Sequence, residues 1–344
     1  MRARIVADDL TGAADAAVAF AGRGLATLVR VGLGPPALPA AVVSVATGSR
    51  RCDALVAAGM VARAARCLPA TGPVVSLKKI DSLLRGPVLA EVAAALRAWC
   101  IEQAVIAPAF PAMGRTTVGG IQLLNGCPVP TAPGAGEGPP TSDLRSLLRG
   151  LPCVVCDAGT DADLDAIVAR HWRPGVLWVG SAGLGAALAR RLTGVDRPAR
   201  PATPRVSSVL VVAGTRHPVT LAQLSLLGAD DCGCDPERAR AALAGSGVAV
   251  LHANRDGDWA AVVEAASSVP ADAVVLTGGD TGSAVLQRRG IIDVEVLSEP
   301  WPGMPLGRDP VGGGLILMKS GAFGAADALR GVVRWLRGEG PCQP

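Results

Sequence analysis

Two series of short apolar segments alternate with longer helical patterns, and this alternation restricts the fold more than any other feature. The segments are apolar throughout rather than at every second position, which indicates strands covered on both faces. Ala-, Leu- and Arg-rich stretches between them predict helices, so we expect an α/β protein with mostly parallel sheets flanked by helices. The predicted strands are 3–7, 26–31, 41–46, 73–78, 103–107, 152–156 and 176–179 in the first series, and 208–213, 248–252, 273–277, 293–297 and 313–318 in the second.

A change in composition separates the two series. The stretch "TGVDRPARPATPRVSS" is rich in Pro and Arg and poor in core residues, so we predict a linker at 193–207. The length of 344 residues suits about two domains. We expect a first domain over 1–200, a second over 208–344 and a cleft between them. In such sheets ligands bind beyond the carboxyl ends of the strands.

Charge and hydropathy exclude several classes of protein. The 33 basic and 29 acidic residues are evenly spread and leave a net charge of +4, which does not indicate a nucleic-acid or membrane partner. No apolar run approaches the roughly 18 residues of a membrane-spanning helix, and the first acidic residues come too early for a signal peptide. We expect a soluble cytoplasmic protein. A homodimer is compatible with the sequence, which does not decide the oligomeric state.

The most informative strand exit in the second series is "LTGGDTGS". A predicted strand ends at Thr277, Gly278 and Gly279 allow a tight turn, and Asp280 and Thr281 begin a helix. Bare N–H groups at a helix start, approached by glycines, form a cradle for an anion. The alternative is an ordinary turn in which Asp280 only caps the helix. The functional interpretation is phosphate binding, with Asp280 positioning a metal or a nucleophile.

Two further exits in this domain have similar chemistry. Lys319 ends a predicted strand beside Gly321, and Gly214 and Thr215 follow another. Lys319 either contacts a phosphate or caps a surface loop. Three such exits in one domain suit a nucleotide with several phosphates.

Charged residues follow two strands of the first series. Asp8 and Asp9 come directly after the first strand, and Lys79, Asp81 and Arg85 lie at and after the fourth. An arginine can bind a carboxylate with two hydrogen bonds, and an aspartate can accept hydrogen bonds from sugar hydroxyls. These residues therefore predict a site for a small polyhydroxy acid. The alternatives are a helix-capping pair at Asp8–Asp9 and a local ion-pair cluster around Asp81.

Two other segments allow more than one interpretation. The Gly- and Pro-rich segment 107–129 carries Arg115 and is either a substrate-binding loop or a long connection. The "GLGAAL" segment at 183–188 is a partial dinucleotide fingerprint without an acid at the next strand end, so an NAD-dependent oxidoreductase is a weaker alternative.

Taken together, these motifs resemble the four-carbon acid sugar kinases, some of whose members phosphorylate threonate, erythronate or 3-oxo-tetronate. The resemblance covers residues 4 to about 330, and the matching stretches are "ADDLTGAADA", "KKIDSLLRG", "APAFPAMGRTTVGGIQLLNG", "CDAGTDADL", "WVGSAGLGAAL", "LTGGDTGSAVL", "PGMPLGR" and "KSGAFGAADAL". It implies an N-terminal acid-sugar-binding domain and a C-terminal ATP-binding domain. It further implies ATP and Mg²⁺ as cofactors.

The family pattern also implies which residues contact each ligand. Nucleotide contacts would fall near Thr215, on 278–281 and on Gly321, and substrate contacts around Asp8, Asp9, Asp81 and Arg85. The catalytic base could be Asp280, Asp9 or Asp81, and the sequence does not choose. The chain departs from the pattern at four positions where the family has polar residues: Ala14, Ala16, Leu83 and Pro87. These losses motivate an alternative, a non-catalytic member that binds a nucleotide or metabolite.

Overall fold

The computed structural model describes residues 1–341 except 71, 132–138, 140, 201 and 254–258. The chain divides into two compact units, Met1–Pro198 and Ala199–Pro344.

The first unit contains a parallel sheet with helices, and the strand order is β2-β3-β1-β4-β10-β5-β9. A separate antiparallel sheet contains β6, β7 and β8. The strands are β1 Ala3–Ala7, β2 Thr27–Val31, β3 Val42–Ala46, β4 Val75–Lys79, β5 Gln103–Ala107, β6 Arg115–Val118, β7 Ile121–Leu124, β8 Cys127–Pro128, β9 Cys153–Val155 and β10 Val176–Gly180. The helices are α1 Leu10–Ala21, α2 Ala54–Arg66, α3 Val88–Ala98, α4 Leu144–Leu147, α5 Asp161–His171 and α6 Ala182–Thr193.

The second unit has its own series of strands, in the order β12-β13-β11-β14-β17-β16-β15. All neighbours are parallel except β16, which is antiparallel to both β15 and β17. The strands are β11 Val209–Ala213, β12 Asp230–Asp231, β13 Val248–His252, β14 Ala273–Thr277, β15 Asp293–Trp301, β16 Met304–Arg308 and β17 Leu315–Lys319. The helices are α7 Pro218–Ser225, α8 Pro236–Gly245, α9 Trp259–Ser268, α10 Gly279–Arg288 and α11 Ala328–Leu336.

The α/β class and the mostly parallel pairing predicted from the sequence are confirmed. All twelve predicted strands are present, and the central ones are buried along their whole length, as continuous hydrophobicity requires. Sequence analysis missed β6, β7, β8, β12 and β16, which are short or carry polar residues among the apolar ones. The predicted cleft stays a prediction.

Strand register brings the exits of neighbouring strands to one edge of each sheet. In the first unit Ala7 of β1 pairs with Ala46 of β3 and Lys79 of β4. In the second unit Thr277 of β14 pairs with Ala213 of β11 and Lys319 of β17. The residues that follow these strands therefore lie near one another although they are far apart in sequence.

Within the described ranges, none of the helices combines the length and the hydrophobicity needed to cross a membrane. The eight described cysteines are all free thiols, Cys153 and Cys156 among them.

Candidate functional site

Asp9 closes the N-terminus of α1 and also belongs to a charged cluster. Its Oδ1 accepts a hydrogen bond from the Gly12 backbone N–H at 2.7 Å, and its Oδ2 accepts one from the Thr11 hydroxyl at 2.9 Å. The capping interpretation is therefore correct for Asp9, and one carboxylate oxygen still faces the cluster. The neighbouring Asp8 is buried and does not cap the helix.

Arg50, which sequence analysis did not identify, joins the two aspartates. Its Nε and Nη2 donate to the Asp8 carboxylate at 2.6 and 3.0 Å, and its Nη1 donates to Asp9 Oδ2 at 2.7 Å. Its Nη2 also lies 3.7 Å from Asp81 Oδ1. The signal in the sequence was the polar stretch "TGSRR" directly after β3, the same kind of strand exit that identified Asp8 and Asp9.

Asp81 and Arg85 form a second pair in the same cluster. The Arg85 Nε and Nη2 donate to the two Asp81 carboxylate oxygens at 2.7 and 2.8 Å, the bidentate geometry of strong guanidinium–carboxylate pairs. Arg115 is buried nearby, with its Nη1 donating to the Met113 carbonyl at 2.6 Å. Burial lowers the pKa of Arg115, and the charges of Asp81 and Arg85 also act on it.

The two lysines of β4 have different partners. Lys79 Nζ donates to the Ile80 carbonyl at 3.0 Å and lies beside Gly12, where an added Cβ would come within 2.8 Å of it. Lys78 Nζ is fully buried and lies 2.9 Å from the carboxylate of Glu91 in α3. Glu91 also accepts a hydrogen bond from Ser49, the residue before Arg50. Sequence analysis did not identify Glu91, because a single acid in a helix gives no local sign of its partner.

Charge pairing keeps the Asp8 and Asp81 carboxylates ionised. Burial alone would raise the pKa of Asp8, but the Arg50 guanidinium, with Lys78 and Lys79, outweighs burial and lowers that pKa. The pKa of Asp81 is likewise raised by burial but lowered further by Arg50 and Arg85, so that it falls well below its ordinary value. Both side chains are therefore anionic at neutral pH and are weak proton acceptors.

We call the set Asp8, Asp9, Lys79, Asp81, Arg50, Arg85 and Arg115 the acid-side cluster. Four cationic side chains stand against three carboxylates, which leaves one excess positive charge. A ligand with one negative charge would neutralise this excess.

The second unit brings the predicted glycines together around Thr215. A Cβ on Gly278 would lie 3.6 Å from Thr215 Cβ, and a Cβ on Gly321 would lie 2.9 Å from Thr215 Oγ1. A Cβ on Gly214 would overlap the hydroxyl of Thr281. Close approach therefore requires glycine at 214 and 321, whereas the contact at Gly278 is an ordinary one. We call Gly214, Thr215, Gly278, Gly279, Thr281 and Gly321 the glycine cradle.

Gly278 also sets the start of α10. Its φ of 97° lies in the region that favours glycine, and among the described residues no side chain caps this helix. A helix N-terminus without such a cap favours anions, because its first N–H groups carry partial positive charge. Asp280, the second residue of α10, is exposed.

Lys319 lies beneath the cradle rather than on a surface loop. Its side chain is fully buried, and its Nζ donates to the carbonyls of Ser320 at 3.0 Å and Gly321 at 3.4 Å and to the Thr220 hydroxyl at 3.3 Å. The Thr220 hydroxyl in turn donates to the Gly321 carbonyl at 2.8 Å. Burial lowers the pKa of Lys319 to about 7. Within the described part of the chain no carboxylate forms an ion pair with this lysine.

Packing accounts for the "GLGAAL" glycines. A Cβ on Gly183 would lie 2.7 Å from the Ala109 carbonyl oxygen, and one on Gly185 would lie 3.2 Å from the Ala16 carbonyl oxygen in α1. These glycines let α6 approach its neighbours closely, which leaves little support for a dinucleotide fingerprint. Two of the positions at which the chain departs from the family pattern have packing roles. Ala16 lies against Gly185, which explains its small side chain. Leu83 packs with Leu124 and Val129.

Comparison with known proteins gives a consistent result. A family model described as a sugar-binding N-terminal domain matches residues 3–150, and one described as a nucleotide-binding C-terminal domain matches residues 257–329. A D-threonate kinase of Bordetella bronchiseptica is 34% identical, over 94% of this chain and 95% of its own length.

Solved structures share the fold. A Haemophilus influenzae protein aligns with a TM-score of 0.71 at 21% identity, covering 94% of this chain and 97% of that protein, and this likeness concerns the fold alone. A Bordetella bronchiseptica protein, crystallised with bound citrate as a domain-swapped dimer, is 32% identical with a TM-score of 0.52 and covers 99% of both chains.

Proposed function

The chain belongs to the four-carbon acid sugar kinase family, and we propose that this sugar-acid kinase transfers the terminal phosphoryl group of ATP to a hydroxyl of a four-carbon acid. D-threonate is the first candidate, because a relative that aligns over nearly the whole chain carries that name. The observation that carries the proposal is the convergence of three strand exits on Thr215 in the second unit. Such a cradle suits the phosphates of a nucleotide.

We propose that the glycine cradle binds the triphosphate. The N–H groups at the start of α10 would donate to phosphate oxygens, and the glycines leave the backbone open to them. Lys319 would act mainly through the 320–321 turn, since its ammonium is hydrogen-bonded to the carbonyls of that turn.

Mg²⁺ fits this site as an ion held largely by the nucleotide. Among the described residues no group of three or more His, Cys, Asp or Glu side chains could hold a metal. Mg²⁺ is commonly bound by one or two carboxylates together with substrate phosphates, and Asp280 is the carboxylate next to the cradle. When bound, the ion would supply charge neutralisation at the phosphate oxygens.

The acid-side cluster is proposed to bind the sugar acid. Its excess positive charge suits a monocarboxylate, and the ionised Asp8 and Asp81 suit hydrogen bonds from substrate hydroxyls. Their lowered pKa values favour orientation of the substrate over proton abstraction. Because the transition state of phosphoryl transfer is loose, positioning and charge contribute more than a strong base. Asp9 and Asp280 stay candidates for accepting the proton.

An ADP-release assay with purified protein, Mg²⁺ and ATP tests this function. D-threonate, D-erythronate and 3-oxo-tetronate are compared, and we expect acid-dependent ADP release with at least one of them. ATP binding without ADP release from any of these acids would support the non-catalytic alternative instead. Thermal stabilisation by NAD but not by Mg²⁺–ATP would favour the oxidoreductase alternative.

We also propose that the protein forms a homodimer, on the support of the Bordetella bronchiseptica protein that crystallised as a domain-swapped dimer. Light scattering during size-exclusion chromatography measures the mass in solution, and a monomer at assay concentration would contradict this proposal.

A further inference from the structure

Trp259, the first residue of α9, stands at the side of the glycine cradle with its ring exposed. The indole N–H donates a hydrogen bond of 2.8 Å to the Thr281 hydroxyl, and Thr281 is buried against Gly214. The only polar atom of the indole is thus satisfied by a residue of the cradle. This bond fixes the ring beside the cradle, and the residue stays 40% exposed.

The exposure of Trp259 distinguishes it from the other tryptophans. Its side chain is 40% exposed, whereas Trp99, Trp178, Trp301 and Trp335 are at most 8% exposed. Trp172 is partly covered and pairs with the Trp178 ring. Among the described residues, no aromatic ring or cationic group pairs with Trp259. An amphipathic ring with its polar end held and part of its surface exposed is well suited to contact a flat ligand.

We propose that Trp259 is the platform on which the base of the bound nucleotide stacks. The proposal rests on the proposed function, because it takes the phosphates to lie in the glycine cradle. A nucleotide bound there carries an aromatic base joined to its phosphates through one ribose, and Trp259 is a partly exposed residue anchored to that cradle. Stacking requires only the π-face of the base, so it contributes affinity for a purine nucleotide without reading its edge. The hydrogen bond to Thr281 pre-organises the ring, which lowers the ordering cost on binding.

The test compares Trp259→Ala and Trp259→Phe with the wild type, each with Mg²⁺–ATP and with Mg²⁺–tripolyphosphate, which has the phosphates but no base. Phenylalanine keeps an aromatic face and loses the N–H, so it separates stacking from the bond to Thr281. We expect Trp259→Ala to weaken ATP binding by about 5- to 150-fold, the range for loss of one base–aromatic stack. Trp259→Phe should retain most of the ATP affinity. Tripolyphosphate should bind all three proteins within about twofold, because the backbone N–H groups that contact the phosphates are unchanged.

Fluorescence supplies a second readout. Because Trp259 is the most exposed described tryptophan, ATP should quench the wild-type emission and tripolyphosphate should not, and Trp259→Phe should lose the quenching. Thermal melting of each variant checks that it is folded. If both variants lost ATP affinity equally and also lost affinity for tripolyphosphate, Trp259 would only position Thr281, and the platform proposal would be overturned. Unchanged ATP affinity in Trp259→Ala would also overturn it, whereas a wild type that binds no ATP would instead refute the proposed function.

Discussion

Replacing Arg50 by methionine should destabilise the first unit strongly, because it removes the cation shared by two buried carboxylates. Arg50 contacts Asp8 at 2.6 Å and Asp9 at 2.7 Å, and the side chains of these two aspartates are only 2% and 7% exposed. Methionine has a similar length and no charge. Removing one partner of a buried ion pair typically costs about 3–5 kcal/mol. For a unit of this size that loss corresponds to a fall in Tm of roughly 6–20 °C.

The matched control is Arg308→Met. Arg308 Nη2 lies 2.6 Å from Glu295 Oε2, but these side chains are 47% and 38% exposed. Exposed pairs are worth about 0–1 kcal/mol, so this variant should melt within a few degrees of the wild type. Calorimetry of the full chain at pH 7 measures both.

The pH dependence gives the sharper test. The pKa of Asp8 is lowered in the folded protein, so its pairing adds stability above the unfolded-state pKa, and this stability is lost as the pH falls through the folded-state pKa. The difference in Tm between wild type and Arg50→Met should therefore shrink as the pH falls through the acid range, where the Asp8 carboxylate becomes protonated. Equal Tm losses in the Arg50 and Arg308 variants, or a deficit independent of pH, would refute this account of the cluster.

Three further predictions concern single positions. Gly12→Ala should raise the KM for the acid, because the new Cβ would lie 2.6 Å from Asp9 Oδ1 and 2.8 Å from Lys79 Nζ. The control is Gly59→Ala in α2, where a Cβ would meet open space beyond the helix's own backbone, and it should leave the KM unchanged. Equal KM values in both variants would contradict the expected displacement. Burial lowers the pKa of Lys319 to about 7, so this lysine should make the free energy of unfolding rise between pH 7 and about 10, towards its unfolded-state pKa. Lys319→Met should flatten that rise. Wild-type and variant curves of unfolding free energy against pH, measured by urea unfolding, would argue against a perturbed lysine if they were parallel. Asp280→Ala should abolish ADP release. It should leave the circular dichroism spectrum unchanged, since Asp280 is exposed. Turnover by this variant at the wild-type rate would remove Asp280 from the catalytic candidates.

Local signals in the sequence identified much of the candidate site. A polar or glycine residue directly after a continuous apolar run marks a strand exit, and this signal found Asp8, Asp9 and Asp81 in one unit and Thr215 and Gly278 in the other. Their chemistry could be inferred because each signal is contained within a few neighbouring residues. Whether these residues bind substrate stays a prediction.

The partners of these residues depended on the tertiary structure. Arg50 reaches Asp8 across 42 positions because β3 lies next to β1 in the sheet, an order that no local pattern encodes. Trp259 similarly meets Thr281 from a separate helix, and Glu91 meets Lys78 from α3.

The sequence by itself determined the α/β class, the twelve predicted strands and the chemistry at their exits, because hydrophobic runs and turn residues act over a few neighbouring positions. Only the tertiary structure decided which exits meet and which partners the three buried lysines contact, because these depend on strand order and on burial produced by the whole chain.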